Sequence, residues 1–289
     1  MNAPDILHLL TLQIPVGQAD RLAAWLGEAV DVAAVEHTRR GAASAWVEVA
    51  VPDATQARLI EAAARSAFPV EASRIQVQTP RDWVAACQAH FPVVEAGRRL
   101  RIVPAHLDPR PAPTAGRSDV VVQCGLSFGT GQHFTTRFCL DALDRLADRE
   151  PGASVLDVGC GTGVLALAAS ALGFGPVAGT DLDPSAVAQA TENAGLNPGI
   201  PPPSFLVHDL TAGPLPVRAD IVVANLFSRL LVDYARRLDA AAGRWLLLTG
   251  IQEPETDDVL AAFLPLGWTV ARAEGDAEWS GLVLRRGGR

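Results

Sequence analysis

The sequence predicts an α/β fold, in which helices cover a mainly parallel sheet and a smaller α+β domain comes first. Apolar strand-like runs alternate with helical patterns over residues 119–289. One run, Ser154–Val158, ends in a turn with a glycine at every second position from Gly159 to Gly163, followed by an alanine- and leucine-rich helical pattern. Residues 5–78 have a separate β-α-β-β-α-β pattern. In an open parallel sheet, ligands bind beyond the carboxyl ends of the strands, so the glycine turn is the first candidate site.

Composition excludes several functional classes. The chain has 289 residues, 49% of them apolar, which is enough for a large and a small domain. Its net charge of −8 argues against a nucleic-acid surface, which draws its affinity from basic residues, and favours a basic partner. No apolar run reaches the roughly 18 residues of a membrane span. The N-terminus also lacks the pattern of a signal peptide.

Cysteine and lysine usage narrows the chemistry further. Cys87, Cys124, Cys139 and Cys160 have neither close pairing nor zinc-type spacing, so we expect no metal site and a reduced, cytoplasmic protein. All 24 basic residues are arginine. Schiff-base and P-loop mechanisms both need a lysine amine, and both are therefore excluded.

A small ferredoxin-like domain is predicted for residues 1–79. Its strands are expected at 6–14, 32–37, 45–51 and 75–78, with helices at 22–30 and 53–68. It contains no visible cluster of catalytic residue types, so its predicted role is substrate recognition. The apolar face expected for its second helix comprises Ile60, Ala63, Ala64, Ala67 and Phe68.

Residues 80–118 are predicted to be a connector. A short helical pattern runs from Trp83 to His90, and Leu100–Val103 reads as a strand. Repeated prolines between Ala105 and Ser118 indicate a loop. The predicted division is therefore 1–79, 80–118 and 119–289.

A glycine-rich loop precedes the large domain. Residues 125–136 contain three glycines, two phenylalanines and His133, and then pass into a helix with Cys139 and Leu143 on its apolar face. Thr135 or Thr136 is the predicted cap of that helix. So many conformationally permissive residues indicate a functional loop rather than a plain connection.

Seven strands are predicted for the large domain, the last two as an antiparallel hairpin. The strands are expected at 154–158, 177–181, 204–207, 220–225, 244–249, 268–273 and 279–285. The intervening helices are expected at 164–172, 184–193, 228–240 and 253–264.

The glycine spacing distinguishes between nucleotide ligands. A dinucleotide fingerprint has glycines at relative positions one, three and six, but here they fall at one, three and five. Asp157 stands two residues before the first glycine, and Asp181 closes the next strand. A carboxylate at that point can accept hydrogen bonds from both hydroxyls of a ribose. The pattern resembles the first motif of class I S-adenosylmethionine-dependent methyltransferases, so S-adenosyl-L-methionine is the predicted cofactor.

The complete set of motifs resembles one family, PrmA, the bacterial methyltransferases that act on ribosomal protein L11. The most distinctive motif is the loop Phe128-Gly129-Thr130-Gly131-x-His133-x-Thr135-Thr136, and the similarity extends over the whole chain. The other matching motifs are the glycine turn, Asp181-Leu182-Asp183-Pro184, Val222-Val223-Ala224-Asn225 and Glu278-Trp279.

The resemblance implies a set of site residues. Cofactor contacts are implied at Thr136, Gly159, Asp181 and Asn225, and the glycine motif adds Asp157 and Gly161 as cofactor-binding candidates. We expect Asn225, Phe128 and His133 to line the reacting end, and no residue stands out as a general base.

The implied reaction is methylation of amines, on lysine or at the N-terminus, of a basic ribosomal protein by a monomer that needs no direct nucleic-acid contact. Leu226-Phe227 after Asn225 differs from the Asn-Pro-Pro-aromatic motif of amide and base methylases, which favours an aliphatic amine. The family usually has Asp-Pro where this chain has Gln123-Cys124, and proline where it has Phe134. A class I methyltransferase acting on another protein or on a small molecule is therefore the alternative.

Overall fold

The computed structural model describes residues 7–30, 34–37, 43–78, 92–107, 112–123 and 133–287. The described residues fall into two compact units, one ending at residue 78 and one beginning at residue 92. The helix expected from Trp83 to His90 lies outside the described residues. No helix in the described part of the chain is both long and apolar enough to cross a membrane.

The first unit is an antiparallel sheet with two helices. Its sheet has the strand order β2-β3-β1-β4. The β-α-β-β-α-β element order is the one that the sequence predicts for this part of the chain. The elements are β1 (Leu7–Pro15), α1 (Ala19–Val30), β2 (Ala34–His37), β3 (Ser44–Val51), α2 (Ala54–Ala67) and β4 (Ala72–Gln78).

Helix α2 packs through a narrower face than the sequence suggests. Its buried residues are Ala57, Ile60 and Ala64, which recur at the three- and four-residue spacing of one helix face. Ala63 and Ala67, predicted on the buried face, are exposed. Because alanine has little apolar surface, its position in the sequence is a weak indicator of the buried face.

The second unit begins with a three-stranded sheet. The sheet consists of β5 (Val94–Ala96), β6 (Leu100–Pro104) and β7 (Ser118–Val122), in that order, with β5 antiparallel and β7 parallel to β6. Part of the stretch predicted as a connector is therefore ordered sheet, and its apolar side chains belong to the core of this unit. The sequence predicted β6 but neither β5, which is only three residues long, nor β7.

The main sheet of the second unit has seven strands in the order β10-β9-β8-β11-β12-β14-β13. Strand β14 is antiparallel to both neighbours, and the other pairings are parallel. The strand order reverses at β8, which makes its carboxyl end the expected ligand site. All seven predicted strands are present. They are β8 (Val155–Val158), β9 (Val177–Asp181), β10 (Ser204–Val207), β11 (Ala219–Asn225), β12 (Ala242–Gln252), β13 (Trp268–Gly275) and β14 (Trp279–Arg286).

Within the described residues, six helices accompany this sheet. Two of the predicted helices differ from the prediction. The helix expected over 228–240 is interrupted at Tyr234, and the one expected over 253–264 begins as a 3-10 turn, Glu253–Glu255. Pro254 lies in that first turn, where a missing backbone N–H is tolerated. The helices are α3 (Phe134–Ala147), α4 (Val164–Ala171), α5 (Pro184–Gly195), α6 (Ser228–Asp233), α7 (Ala235–Ala241) and α8 (Thr256–Phe263).

Both faces of the seven-stranded sheet are buried. Val155 and Val223 pack in a cluster with α3 and α4, whereas Leu156 and Val222 pack in a second cluster with α6, α7 and α8. Continuous apolar runs in the central strands follow from burial on both faces. Asp157 lies two residues after Val155 and therefore faces the α3 and α4 side.

A buried carboxylate joins the β5–β6 turn to α3. Asp144 is fully buried and accepts hydrogen bonds from the Arg98 backbone N–H at 3.1 Å, from Arg98 Nε at 3.2 Å and from Arg99 Nε at 2.7 Å. Burial opposes ionisation, but the bonds from Arg99 and Arg98 prevail and hold the pKa of Asp144 below its usual value. The ionised form is therefore the stable one in the folded protein.

We expect Asp144→Ala to lower the free energy of unfolding by about 3 kcal/mol, because it removes the buried partner of two arginines. Asp148→Ala is the matched control, since Asp148 pairs with the same arginines from a half-exposed position. Its unfolding midpoint in urea should stay close to that of the parent protein. Equal losses of unfolding free energy in the two variants would show that the buried Asp144 contributes no more to stability than the half-exposed Asp148.

Candidate active site

The turn after β8 requires its glycines. Gly159, Gly161 and Gly163 have φ values of +75°, +50° and +78°, in the left-handed region that favours glycine. A Cβ on Gly159 would lie 2.6 Å from Leu226 Cδ2, and one on Gly163 would lie 2.9 Å from the Phe205 ring. Both the backbone conformation and the close packing therefore exclude larger residues at these positions.

Asp181 at the end of β9 is hydrogen-bonded to the glycine turn. Its Oδ2 accepts from the Gly161 backbone N–H at 2.8 Å, and its Oδ1 accepts from the Asp183 N–H at 3.0 Å. The Gly159 N–H donates to the Thr180 carbonyl at 2.8 Å, which holds the turn against the same strand end. An ionised carboxylate has about four lone-pair sites. Asp181, which is half-buried, therefore keeps acceptor capacity for a ligand.

Asp157 is a second carboxylate in the site, and it is almost completely buried, with 1% of its surface exposed. Its Oδ2 accepts from the Ala166 N–H at 3.2 Å, whereas its Oδ1 has no hydrogen-bond partner within the described residues. Burial raises the pKa of Asp157 to about 7, the Ala166 N–H opposes this rise, and the nearby charge of Asp181 adds to it. A buried, unsatisfied carboxylate oxygen is suited to a ligand that brings positive charge or a hydrogen-bond donor.

Asn225 ends β11 beside the glycine turn. In the parallel pairing of β11 with β8, Ala224 lies opposite Val158, so Asn225 comes level with the first residue of the turn. Its side-chain amide has no hydrogen-bond partner among the residues that the structure describes. The next residue, Leu226, packs against Gly159 and donates its N–H to the Thr249 carbonyl at 3.0 Å.

The first turn of α3 brings further polar groups to this end of the sheet. Thr136 is buried, and its Oγ1 has no hydrogen-bond partner in the described regions. His133, rather than Thr135 or Thr136, caps the helix, because its Nδ1 accepts from the Thr135 N–H at 3.4 Å. The His133 ring also meets the Trp279 ring edge to face, with 5.1 Å between their centroids. Trp279 opens β14 opposite Gln252, at the carboxyl end of β12.

The structure thus brings most of the predicted site residues to one edge of the sheet. Asp157, Gly159, Gly161 and Asp181 lie within one continuous turn and its two flanking strands, and Asn225 is adjacent by strand register. Thr136 and His133 lie at the start of α3, which packs on this sheet, and within the described residues neither is hydrogen-bonded to the turn. Phe128 lies outside the described residues.

Some residues that shape this region are absent from the predicted site. Gly250 has a φ of +81°, and a Cβ on it would lie 2.5 Å from the Leu226 carbonyl oxygen. A side chain at position 250 would therefore collide with the segment that follows β11. The signal available in the sequence is a glycine directly after the strand predicted over 244–249. Leu226 and Phe205, which pack on the glycine turn, were indistinguishable from ordinary core residues.

The residues fit a ligand with ribose hydroxyls at one end and a positive charge at the other. Asp181 keeps free acceptor capacity, Asp157 has an unpaired buried oxygen, and the left-handed glycines allow close approach of a ligand to the backbone. Within the described ranges, no three His, Cys, Asp or Glu side chains come together so as to hold a metal ion.

A seven-stranded sheet in this order, with a glycine turn after its central strand and a carboxylate closing the next, defines a class I methyltransferase. A family model described as ribosomal protein L11 methyltransferase (PrmA) matches residues 27–287. The match covers most of the chain, including the second unit and the part of the first unit from residue 27 onward. The chain belongs to the PrmA family.

Individual relatives agree with this membership. A ribosomal protein L11 methyltransferase from Geobacter sulfurreducens is 35% identical over 301 aligned residues, covering 96% of this chain and 97% of the relative. One from Myxococcus xanthus is 37% identical over 221 residues, covering 76% and 75%. The crystal structure of a ribosomal protein L11 methylase from Lactobacillus delbrueckii subsp. bulgaricus superposes with a TM-score of 0.60 at 29% identity, covering 68% of this chain and all of that chain.

The raised pKa of Asp157 predicts a characteristic pH dependence of stability. Its folded value of about 7 exceeds the unfolded value of about 3.9, so the folded protein binds more protons between these limits. Stability from this group is therefore highest at low pH and falls as the pH rises from about 4 to about 7. Asp157→Asn removes this contribution, so the free energy of unfolding of the variant should rise relative to that of the parent between pH 5 and pH 8, by at most about 3 kcal/mol.

Denaturant unfolding of both proteins without ligand measures this difference at the two pH values. Asp220→Asn is the control, because hydrogen bonds from Ser154 lower the pKa of Asp220 and confine its titration to more acidic solution. The difference in the free energy of unfolding between Asp220→Asn and the parent should be the same at pH 5 and pH 8. A difference for Asp157→Asn that does not change with pH would show that Asp157 titrates normally.

Proposed function

We propose that this protein transfers methyl groups from S-adenosyl-L-methionine to amines of ribosomal protein L11. The observation that carries the proposal is the family match over residues 27–287, a range that includes the glycine turn and Asp181. The target amines are lysine side chains, the N-terminal amine, or both. The enzyme is a protein methyltransferase of class I.

Four groups of the site would hold the cofactor. The Asp181 carboxylate accepts hydrogen bonds from the ribose hydroxyls, and the turn from Gly159 to Gly163 holds the amino-acid end. Thr136 and Asn225 would line the reacting end, together with His133. When bound, S-adenosyl-L-methionine supplies a methyl group on a positively charged sulfur.

Asp157 is the electrostatic complement to that charge. Its pKa of about 7 makes it partly protonated at neutral pH in the free protein. A nearby positive charge favours the ionised carboxylate. Binding of a cationic ligand should therefore stabilise the ionised form of Asp157 and release protons from it at neutral pH.

The contribution of the protein to the reaction is orientation. An amine reacts through its neutral lone pair, whereas a lysine with a pKa of about 10.4 is mostly charged at neutral pH. Apolar walls such as the half-buried Leu226 and the buried Trp279 disfavour the charged amine by desolvation and so help to free the lone pair. Holding the amine in line with the methyl group supplies the main rate gain.

The first unit serves substrate recognition in this proposal, and it is tethered to the catalytic unit, which begins at residue 92 and includes β5, β6 and β7. Tethered recognition raises the local concentration of substrate and can present more than one amine. The substrate is basic, in keeping with the net charge of −8 of the enzyme. The enzyme works in the cytoplasm as a monomer and needs no nucleic acid.

The direct test is incubation with isotopically labelled S-adenosyl-L-methionine and recombinant ribosomal protein L11 from the same organism, followed by mass spectrometry of the product. Label on lysine or the N-terminal amine is expected. A parallel reaction with a lysate of the host cells tests the alternative substrate, another protein or a small molecule. That alternative is suggested by Gln123-Cys124 and Phe134. Label that enters only another lysate component would replace the proposed substrate and keep the reaction.

Asp181→Ala should weaken binding of S-adenosyl-L-methionine at least tenfold, because each hydrogen bond to a charged group contributes about 1.5–3 kcal/mol. Isothermal calorimetry measures the affinity. Asp183→Ala is the matched control, since Asp183 caps α5 by accepting from the Ser185 N–H but lies two positions past the strand end. The control should lose some stability and keep the affinity. Unchanged affinity in Asp181→Ala would remove Asp181 from the site.

A protein beginning at Pro92, where the second unit starts, should bind the cofactor but lose methylation of ribosomal protein L11 at low substrate concentration. The start precedes β5, because removing that strand would expose the edge of β6. Steady-state rates across a range of substrate concentrations should show a raised KM with a smaller change in kcat. Full turnover by the shortened protein would place recognition in the catalytic domain.

A further inference from the structure

The free edge of β7 is paired with side chains instead of a strand. Among the strands that the structure describes, β7 has a partner on one side only, β6. On the other side, the Val121 N–H donates to Asn197 Oδ1 at 2.8 Å, and Asn197 Nδ2 donates to the Val121 carbonyl at 2.7 Å. The Asn197 amide thus occupies the place that a peptide group of a further strand would take.

The pattern repeats one step along the strand. The Gln123 N–H donates to Asn193 Oδ1 at 2.8 Å, and Gln189 Nε2 donates to the Gln123 carbonyl at 2.9 Å. Residues two apart on a strand are separated by about 6.6 Å, and residues four apart on a helix by about 6 Å. Gln189 and Asn193 lie on α5, and Asn197 lies two residues after its end. Amides spaced by four therefore match the peptide groups of Val121 and of Gln123, which follows β7. We call Gln189, Asn193 and Asn197 the amide ladder.

Asn193 differs from the rest of the ladder in one contact. Its Nδ2 donates to the carbonyl of Thr162 at 2.9 Å, inside the glycine turn. Thr162 and Asn193 are both fully buried. Thr162 directly follows Gly161, whose N–H donates to Asp181. One side chain therefore contacts both the turn and Gln123, the residue that follows β7.

We propose that Asn193 is a positioning residue, which couples the glycine turn to the end of β7 and so fixes the turn for cofactor binding. This inference rests on the proposed function, since it assumes that the turn receives S-adenosyl-L-methionine. Helix α5 begins just after Asp181 and returns to the turn through Asn193. The carboxylate and the turn are thereby held by both ends of one helix.

Asn193→Ala and Asn197→Ala form the matched test. Each removes a buried amide that pairs with β7, but only the first loses a bond to the turn. Thermal unfolding without ligand should show a loss of stability in both variants. Calorimetric binding of S-adenosylhomocysteine should weaken about tenfold in Asn193→Ala and stay within about twofold in Asn197→Ala, a difference of one hydrogen bond. Equal affinity in the two variants would overturn the proposal.

A second variant separates the two bonds of Asn193 and covers a failure of Asn193→Ala to fold. Asn193→Asp keeps an acceptor for the Gln123 N–H but replaces the donor to Thr162 by an oxygen. It should bind S-adenosylhomocysteine as weakly as Asn193→Ala. Binding as tight as that of the parent protein would show that the contact with Thr162 does not position the turn.

Amide hydrogen exchange without ligand distinguishes failure of this inference from failure of the proposed function. The Gly161 N–H, bonded to Asp181, should exchange at least tenfold faster in Asn193→Asp than in Asn197→Ala. Failure of the parent protein to bind S-adenosylhomocysteine would overturn the proposed function. The exchange rates of the Gly161 N–H would still show whether Asn193 couples the turn to the end of β7. Equal Gly161 exchange in these variants would overturn the coupling, whatever the ligand.

Discussion

The hydrogen bond from the Gly161 N–H to the Asp181 carboxylate is the contact on which the site depends. It joins the turn after β8 to the end of β9. The ends of these two neighbouring strands therefore present one continuous surface. The same carboxylate retains acceptor capacity for a ligand. Because Gly159 and Gly163 meet Leu226 and Phe205 at van der Waals contact, the turn cannot move without repacking the elements around it.

Burial and ionisation oppose each other at Asp157. The carboxyl lies in the core beneath the turn, where its charged form is disfavoured, and one of its oxygens lacks a hydrogen bond within the described residues. A protein selected for stability alone gains nothing from such a group. In a site for a positively charged ligand, the same group contributes affinity when the ligand is bound, at a cost in stability when it is absent.

The amide ladder extends these constraints to a second sheet. An exposed edge of β7 would leave the Val121 and Gln123 peptide groups unsatisfied, and a further strand would fill the space where α5 approaches the turn. Asn193 and Asn197 satisfy those groups while α5 stays in place. The same helix is thus fixed at one end beside Asp181 and at the other against β7, which limits relative movement within the catalytic unit.

The sequence by itself determined the seven strands, the glycine turn and the two carboxylates, because alternation, apolar runs and left-handed glycines are local signals. Only the tertiary structure decided that His133 caps α3, that β7 is a strand, and that Asn193 bonds a turn 31 positions earlier. Periodicity shows which face of an element is apolar. It does not show which distant peptide group a buried amide will meet, because packing of the whole unit sets that contact.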